Sequence, residues 1–332
     1  MSAAMRAAWY EATGPAREVI RIGELPRPEP GSGEVLVRVH ASGLNPSDTK
    51  RRAGWRREAL EYPRVIPHSD GAGVIEAVGA GVDDGRIGER VWLWNAQRGR
   101  AGGTCADYVA LPQAQAVPLP DGTGFVDGAC LGVPACTAHF AALADGPLVG
   151  LTALIQGGAG AVGDYAVQWA KRSGAHVIAT VGSDAKAALA RQSGADATVN
   201  RRAEDVVRRV LDLTDGQGVD RIVEVDLGAN LEQDVALIKP NGVIASYSST
   251  ANPEPVFPYY PLAYKGVTLR LVQAYILPEP ARARALADIG EALRDGGLGH
   301  RTAGVFPLEE TAAAHELLES GKAVGNVVVT LI

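Results

Sequence analysis

From Met5 to Pro120 apolar and polar positions alternate in short segments broken by Gly and Pro: "RAAWY", "EVLVRVHA", "GAGVIEAVGAGV", "RVWLW" and "CADYVALP". A period of two between tight-turn residues predicts a mostly β domain. Near Asp127 the rhythm changes. A helical stretch, "DGACLGVPACTAHFAAL", leads into apolar runs separated by amphipathic helical segments such as "AVGDYAVQWAKRS" and "EDVVRRVLDL". The strand candidates are "TALIQ" (152–156), "HVIATV" (176–181), "ATVN" (197–200), "RIVEV" (221–225), "GVIASY" (242–247) and "VTLRLVQ" (267–273). Continuous apolar strands alternating with helices predict a parallel sheet covered on both faces, the doubly wound α/β architecture. Two further amphipathic helices and a last strand, "NVVVTLI", follow Pro278 and are expected to return to the first domain. The predicted division is residues 1–126 with 277–332, and residues 127–276.

Composition agrees with this picture. A chain of 332 residues, 46% apolar and 21% charged, is long enough for two globular domains. No apolar run approaches the roughly 20 residues of a membrane helix, and the opening "MSAAMRAAWYEATGP" lacks the pattern of a secretory signal, so a cytoplasmic location is expected. The net charge of −6 argues against a general nucleic-acid binder. One basic cluster, Lys50, Arg51, Arg52, Arg56 and Arg57, reads as a solvated or cofactor-facing edge. Cys105, Cys130 and Cys136, without CxxC spacing, suggest neither a disulfide framework nor a structural zinc site.

The candidate chemistry lies in "LIQGGAGAVGDYAVQWAK". Gly158, Gly160 and Gly163 fit GxGxxG between a predicted strand and a predicted helix. In such a turn the first glycine permits the tight bend, the second lets the backbone approach a pyrophosphate, and the third lets helix and strand pack closely. Amides at the helix start then face the anion. An NAD site places Asp or Glu about 20 residues further on, to accept from the ribose 2′-hydroxyl. Here Ser183 stands 20 residues after Gly163, preceded by Gly182 and followed by Lys186. A tip without a carboxylate leaves room for a 2′-phosphate, and Lys186 and Arg201 add positive charge, so NADPH is expected. Asp184 reads as a helix N-cap.

The chain resembles the zinc-independent quinone oxidoreductase (zeta-crystallin-like) group of the medium-chain dehydrogenase/reductase superfamily. The resemblance is carried by "GLNPSDTKRRAG" (43–54), "PHSDGAGVIEAVGAGV" (67–82), "GERVW" (88–92), the segment 129–143, "GGAGAVGDYAVQWAK" (157–171), "ATVGSDAKAALARQSGAD" (179–196) and "AHELLESGKAVGNVVV" (314–329). It implies a GroES-like catalytic domain, a Rossmann domain and a cleft between them. It also implies Asn45 near the nicotinamide ribose and Thr137 near the nicotinamide ring. Gly160, Ala161 and Val162 would cradle the pyrophosphate, and Ser183, Lys186 and Arg201 the 2′-phosphate. Ser246, Tyr247 and Ser248 would border the adenosine. Val272, Gln273 and Ala274 would reach the carboxamide through their main chain. Asn326 stands where the family often has Lys near the phosphates.

Zinc alcohol dehydrogenases of the same superfamily carry metal ligands at places that here hold Asn45 or Pro46, Ser69 and Val133, with His68 one residue early; no metal is expected. Without a Lewis acid, oxidising an alcohol is hard to drive, whereas quinones and activated enones accept hydride readily. The expected activity is therefore an NADPH:quinone oxidoreductase. The alternatives are an enoyl or α,β-unsaturated carbonyl reductase and an NADPH-binding protein without enzymatic activity. Asn45, Lys50 and Thr137 are the catalytic candidates. Lys50 replaces the Tyr that group members often carry in "NxxxTYxRxG", while Asp48 reads as orienting the loop. Trp55, Tyr62, Trp92, Trp94, Tyr259, Tyr260 and Tyr264 are candidate walls for a flat ring, with Trp92 and Trp94 expected on one face of their strand. By resemblance, the last Rossmann strand pairs with its twin in a homodimer.

Overall fold

The structure is a computed structural model that describes residues 3–56 and 59–331. Its contacts divide the chain into two units, Met1–Pro134 with Leu286–Ile332, and Ala135–Ala285. In the first unit, β1 (Ala4–Trp9) and β2 (Arg21–Pro26) form an antiparallel ribbon. The strands β3 (Glu34–Leu44), β4 (Asp70–Val78), β5 (Arg90–Leu93), β6 (Tyr108–Pro112) and β7 (Ala116–Pro118) belong to a larger sheet. Along one edge of the long β3 lies β4; the other edge takes β6 over residues 34–38 and a late strand over residues 41–44.

The second unit holds β8 (Thr152–Ile155), β9 (His176–Val181), β10 (Ala197–Asn200), β11 (Val219–Glu224), β12 (Ile238–Ser246) and β13 (Thr268–Leu271). All six are parallel, in the order β10-β9-β8-β11-β12-β13, the doubly wound Rossmann order. The order reverses between β8 and β11, so the carboxyl ends of these two strands form the switch point at which such sheets bind ligands. Leu154, Ile155, Val177, Ile178, Ile222, Val223 and Ile244 have no exposed surface, as a sheet covered on both faces requires. Edge strand β13 is different: Leu271 is 72% exposed.

The chain then returns to the first unit as β14 (Thr302–Pro307) and β15 (Asn326–Thr330). The latter pairs antiparallel with β3, Val327 opposite Leu44 and Thr330 opposite Ala41. The expected helix across 127–143 is instead three pieces: Phe125–Gly128, a π-helical turn Leu131–Ala135, and Cys136–Leu143. Pro134 lies in the middle piece, and without an N–H it cannot sustain an uninterrupted α-helical ladder. Among the described residues no helix is long and apolar enough to cross a membrane.

One ion cluster fixes the second unit. Arg221 of β11, only 3% exposed, donates to Ala141 O at 2.9 Å and to Asp145 Oδ2 at 3.0 Å, and Arg270 Nε donates to the same oxygen at 3.0 Å. Burial alone would raise the Asp145 carboxyl, but bonding to Arg270 and Arg221 outweighs it and holds it below the usual carboxylate range. The stability from this depressed carboxyl is present above the ordinary Asp pKa of about 4 and is lost as pH falls through the lower folded value. Asp145→Ala leaves a buried guanidinium without its counter-charge and is expected to cost about 3 kcal/mol at pH 7. Urea unfolding against pH checks this: the gap between wild type and variant should shrink below pH 4.

Candidate functional site: a nucleotide-binding turn and the edge of the first sheet

The turn after β8 is built as a dinucleotide turn, with its glycine roles redistributed. The left-handed position is Gly157, at φ +71°, one residue before the GxGxxG motif. Gly158 is required for a different reason: a Cβ there would stand 2.6 Å from Ala179 Cβ on β9. Gly163 packs against the turn itself, its would-be Cβ 2.2 Å from Gly157 O. Gly160 caps the helix Ala161–Arg172 with no side-chain acceptor, which leaves the amides of Ala161, Val162 and Gly163 at a bare helix N-terminus suited to a pyrophosphate. Thr180 on β9 grips the turn twice: Gly157 N donates to its Oγ1 at 3.0 Å and Gly158 N to its carbonyl at 3.0 Å. The sequence reading missed Thr180. Its signal, a lone polar residue in an apolar strand, was present in "HVIATV".

At the tip of β9 the N-cap of the helix Asp184–Gln192 is Ser183, not Asp184: Ser183 Oγ accepts from Lys186 N at 3.3 Å. Asp184 is the first helical residue, and its carboxylate accepts from Asn200 Nδ2 at 3.0 Å. A Cβ on Gly182 would find Arg202 Nε at 3.6 Å and an Arg201 guanidinium nitrogen at 4.0 Å. Both arginines are exposed, and among the described residues neither they nor Lys186 form an ion pair. Arg202 thus joins the three residues expected around a 2′-phosphate. A cavity of about 290 Å³ near this tip is lined by Gln156, Arg201, Glu204, Asp205, Asn230 and Gln233.

The other expected cofactor residues of this unit are more constrained. Ser246 is buried at the end of β12 and donates to Ser248 O at 3.0 Å; Tyr247 N donates to Glu224 O at 3.1 Å; Ser248 Oγ pairs with Thr250 Oγ1 at 2.9 Å. Val272 N donates to Ser246 O at 2.7 Å, and Arg282 donates to Ala274 O, so both main-chain groups already have partners. Gln273 is extended, at φ −130°. Thr137 is buried in the helix Cys136–Leu143.

In the first unit, Asn45 is held at the end of β3 from two sides. Its amide donates to Asp48 Oδ2 at 2.8 Å at the start of the helix Pro46–Ala53, and its Nδ2 donates to Asp70 Oδ2 at 2.8 Å. The same Asp70 oxygen accepts from Val133 N at 2.8 Å. Burial pushes the Asp48 carboxyl up to about 7, and its bond to the Asn45 amide makes it an orienting group. Because Val327 lies opposite Leu44, Asn326 stands at the same sheet edge as Asn45; its Nδ2 donates to Arg301 O at 3.1 Å. Lys50 places its ammonium 4.7 Å from the centre of the Trp55 ring, which is 44% exposed.

Several readings change. Arg52 is not a solvated edge: it is 1% exposed and bonded to Gly14 O and Glu319. Arg57 lies outside the described residues. Trp92 is not a substrate wall, since it is wholly buried, and β5 ends at Leu93, so Trp94 lies beyond the strand. Tyr259, Tyr260 and Tyr264 are 63%, 64% and 85% exposed.

The places of the zinc ligands do not fit a metal. Asp70 is committed to Asn45 and Val133, and His68 Nδ1 pairs with Ser42 Oγ at 2.8 Å and Nε2 with His315 Nε2 at 3.0 Å. His139 meets Trp169 edge-on at 5.1 Å. Among the described residues no three His, Cys, Asp or Glu side chains are grouped to hold an ion. Burial pushes the Cys105 thiol up to about 12, away from the thiolate form that ligates. A nicotinamide nucleotide fits, because the helix Ala161–Arg172 begins at Gly160 with no side-chain cap on its first amides.

Comparison with known proteins agrees. A family model described as an alcohol dehydrogenase GroES-like domain matches residues 31–121, and one described as a zinc-binding dehydrogenase matches 161–288. The quinone oxidoreductase of Pseudomonas aeruginosa is 33% identical over 321 residues, 94% of this chain and 95% of that protein. A mycobacterial protein solved with NADPH superimposes with a TM-score of 0.85 at 28% identity, covering 98% of this chain and all of the other. An NAD-dependent alcohol dehydrogenase superimposes at 0.88 and 30% identity, over 99% and 100%. Glycine turn, Rossmann order, GroES-like sheet and these likenesses together place the chain in the zinc-independent quinone oxidoreductase group of the medium-chain dehydrogenase/reductase superfamily.

Proposed function

We propose that the protein is an NADPH-dependent quinone reductase of the cytoplasm. The observation that carries the cofactor choice is the tip of β9, where Gly182 and Ser183 replace a carboxylate, the guanidinium groups of Arg201 and Arg202 lie beside Gly182 without an ion pair among the described residues, and Lys186 follows in the next helix. One structural neighbour was solved with NADPH and another is described as NAD-dependent, so this tip is the deciding feature. The turn Gly157–Gly163 and the helix behind it would hold the pyrophosphate, and Asn45, fixed by Asp70 and Asp48, would hold the nicotinamide ribose. The bound nicotinamide supplies the hydride. What the protein adds is positioning, together with hydrogen-bond donors to the acceptor oxygen.

Quinones suit such a site because conjugation stabilises the developing charge without a metal. Lys50, whose ammonium lies over the exposed Trp55 ring, is the proposed donor to the quinone oxygen. Lys50→Met is expected to lower kcat/KM for 1,4-benzoquinone about ten- to a hundredfold, the worth of one charged hydrogen bond, with NADPH binding unchanged. Steady-state turnover of 1,4-benzoquinone, a 2-alkenal and an enoyl thioester tests the acceptor class. Faster turnover of the alkenal or thioester would make the protein an enone reductase, and NADPH oxidation equal to a blank across all three would make it a binding protein. The same reading makes it a homodimer joined through β13, whose Leu271 is exposed at the edge of the sheet. Sedimentation at several concentrations should find twice the chain mass.

A further inference from the structure

We propose that Glu224 and Asp234 form a hydrogen-bonded carboxyl pair that sets the position of the dinucleotide turn, acting through Gln156 and Thr180. The inference rests on that turn binding a nicotinamide nucleotide. Both carboxyls are wholly buried, Glu224 at the end of β11 and Asp234 on the helix Leu227–Leu237 behind it. Glu224 Oε1 accepts from Asn230 Nδ2 at 2.9 Å and from Asp226 N. Asp234 Oδ1 accepts from Gln156 Nε2 at 3.3 Å. The remaining oxygens, Glu224 Oε2 and Asp234 Oδ2, are buried with no hydrogen-bond partner among the other described residues, and each carboxyl lies within the electrostatic reach of the other. Two such oxygens satisfy each other only with a proton between them, and that shared proton is what the proposal assigns.

From this pair a continuous chain runs to the turn. Gln156, held by Asp234, accepts from Thr180 Oγ1 at 2.7 Å, and Thr180 Oγ1 accepts from Gly157 N at 3.0 Å. Gln156 N also donates to Val223 O at 2.9 Å, so the link crosses the switch point of the sheet. Every group in the chain has its bonds assigned in one direction. Gln156 must donate to Asp234 in order to accept from Thr180, whose hydroxyl is then free to receive the Gly157 amide. Replacing Asp234 by an apolar residue removes the acceptor that fixes this order.

Burial raises both carboxyls, and the nearby Glu224 charge raises Asp234 further, so Asp234 keeps its proton well above the usual carboxylate range. The other ionisable groups around the network are Tyr247 and Asp226 beside Glu224, Glu232 on the same helix, and Arg201, Glu204 and Asp205 around the cavity that Gln156 and Asn230 line. As pH rises the shared proton leaves, the two carboxylates repel, and the turn loses its anchor.

The test is NADPH and NADH binding, by calorimetric titration without any acceptor, to wild type, Asp234→Leu, Asp234→Asn and Gln156→Met, with urea midpoints as the measure of folding. Asp234→Leu and Gln156→Met are expected to weaken both nucleotides about tenfold, the worth of one buried hydrogen bond. Gln156→Met cuts the same link outside the carboxyl pair, so it decides the matter if Asp234→Leu does not fold. Asp234→Asn keeps a donor toward Glu224 and an oxygen toward Gln156, and it should bind within about twofold of wild type. Between pH 7 and pH 10 wild type should lose several-fold more affinity than Asp234→Asn, because the residues outside the pair are identical in both chains and only the shared proton differs. Wild-type affinity in Gln156→Met, an Asp234→Asn chain as weak as Asp234→Leu, or identical pH profiles would each overturn the proposal. A wild type that prefers NADH would instead count against the NADPH reading alone, since the pyrophosphate is common to both nucleotides.

Discussion

A Gly163→Ala chain is expected to bind NADPH about a hundredfold more weakly than wild type while Gly160→Ala loses only a few-fold. The two substitutions add the same methyl group to the same motif, so composition cannot separate them. Geometry does. A Cβ on Gly163 would lie 2.2 Å from Gly157 O, 2.8 Å from Gly157 C and 3.0 Å from Gly158 Cα. All three are backbone atoms of the turn, so the collision cannot be relieved by a rotamer change. Either the helix Ala161–Arg172 moves away from the turn or the turn moves toward the bound pyrophosphate, and a displacement of about 1 Å is enough to cost on the order of a hundredfold. On Gly160 the nearest atom is Gly157 O at 3.3 Å, which a shift of a few tenths of an ångström relieves. Titration calorimetry with NADPH measures both affinities, and urea unfolding should find Gly163→Ala less stable by about 1 to 3 kcal/mol from overpacking. If Gly163→Ala binds within threefold of wild type, the turn is not the pyrophosphate cradle.

That contrast also marks how far the sequence could be read. The Rossmann strands were legible because each is a short apolar run, buried on both faces in the central β8, β9 and β11, a pattern that depends only on local composition. β10 begins and ends where "ATVN" does, whereas β12 starts at Ile238, before Gly242, because Ile238 already pairs with Val219 and a register shift carries the chain past residues 239–242 to Val243 opposite Arg221. The glycine motif was legible as a motif but not in its division of labour. The left-handed residue is Gly157, and Gly158 answers to Ala179, a neighbour 21 positions away whose approach no local rule encodes. Long-range partners explain the remaining differences. Arg52 sits in a basic run that looks solvated, and only the fold reveals that Gly14 and Glu319 surround it. Trp92 alternates as a surface strand residue would, yet β5 is flanked by β4 and β7 and its Trp is enclosed. Asn45 was found by resemblance alone. What holds it, Asp70 from β4 and Asp48 from its own helix, became visible once β3 and β4 were paired, with Gly43 opposite Asp70.

The strand tip offers the sharper test, because it should be possible to invert the cofactor preference with one residue. Gly182 has ordinary backbone angles and no atom closer than 3.6 Å to its would-be Cβ, so a side chain fits without strain. The nearest atoms are the guanidinium groups of Arg202 and Arg201, at 3.6 Å and 4.0 Å. An aspartate placed there would pair with both arginines, cancelling the charge that a 2′-phosphate needs, and would offer an acceptor to a 2′-hydroxyl. Each charge-assisted bond to the phosphate is worth about 1.5 to 3 kcal/mol, so losing two of them lowers the NADPH-to-NADH ratio of kcat/KM by on the order of a hundred- to ten-thousandfold. Arg201→Ala with Arg202→Ala should weaken NADPH to a similar degree but leave NADH unchanged, because it removes attraction without supplying the new acceptor. The two outcomes separate recognition of the phosphate from a general loss of structure. Steady-state kinetics with each nucleotide at fixed 1,4-benzoquinone gives the ratios directly. A Gly182→Asp enzyme that still prefers NADPH would mean that the 2′-phosphate is held elsewhere, and that the exposed guanidinium pair beyond β10 serves another purpose.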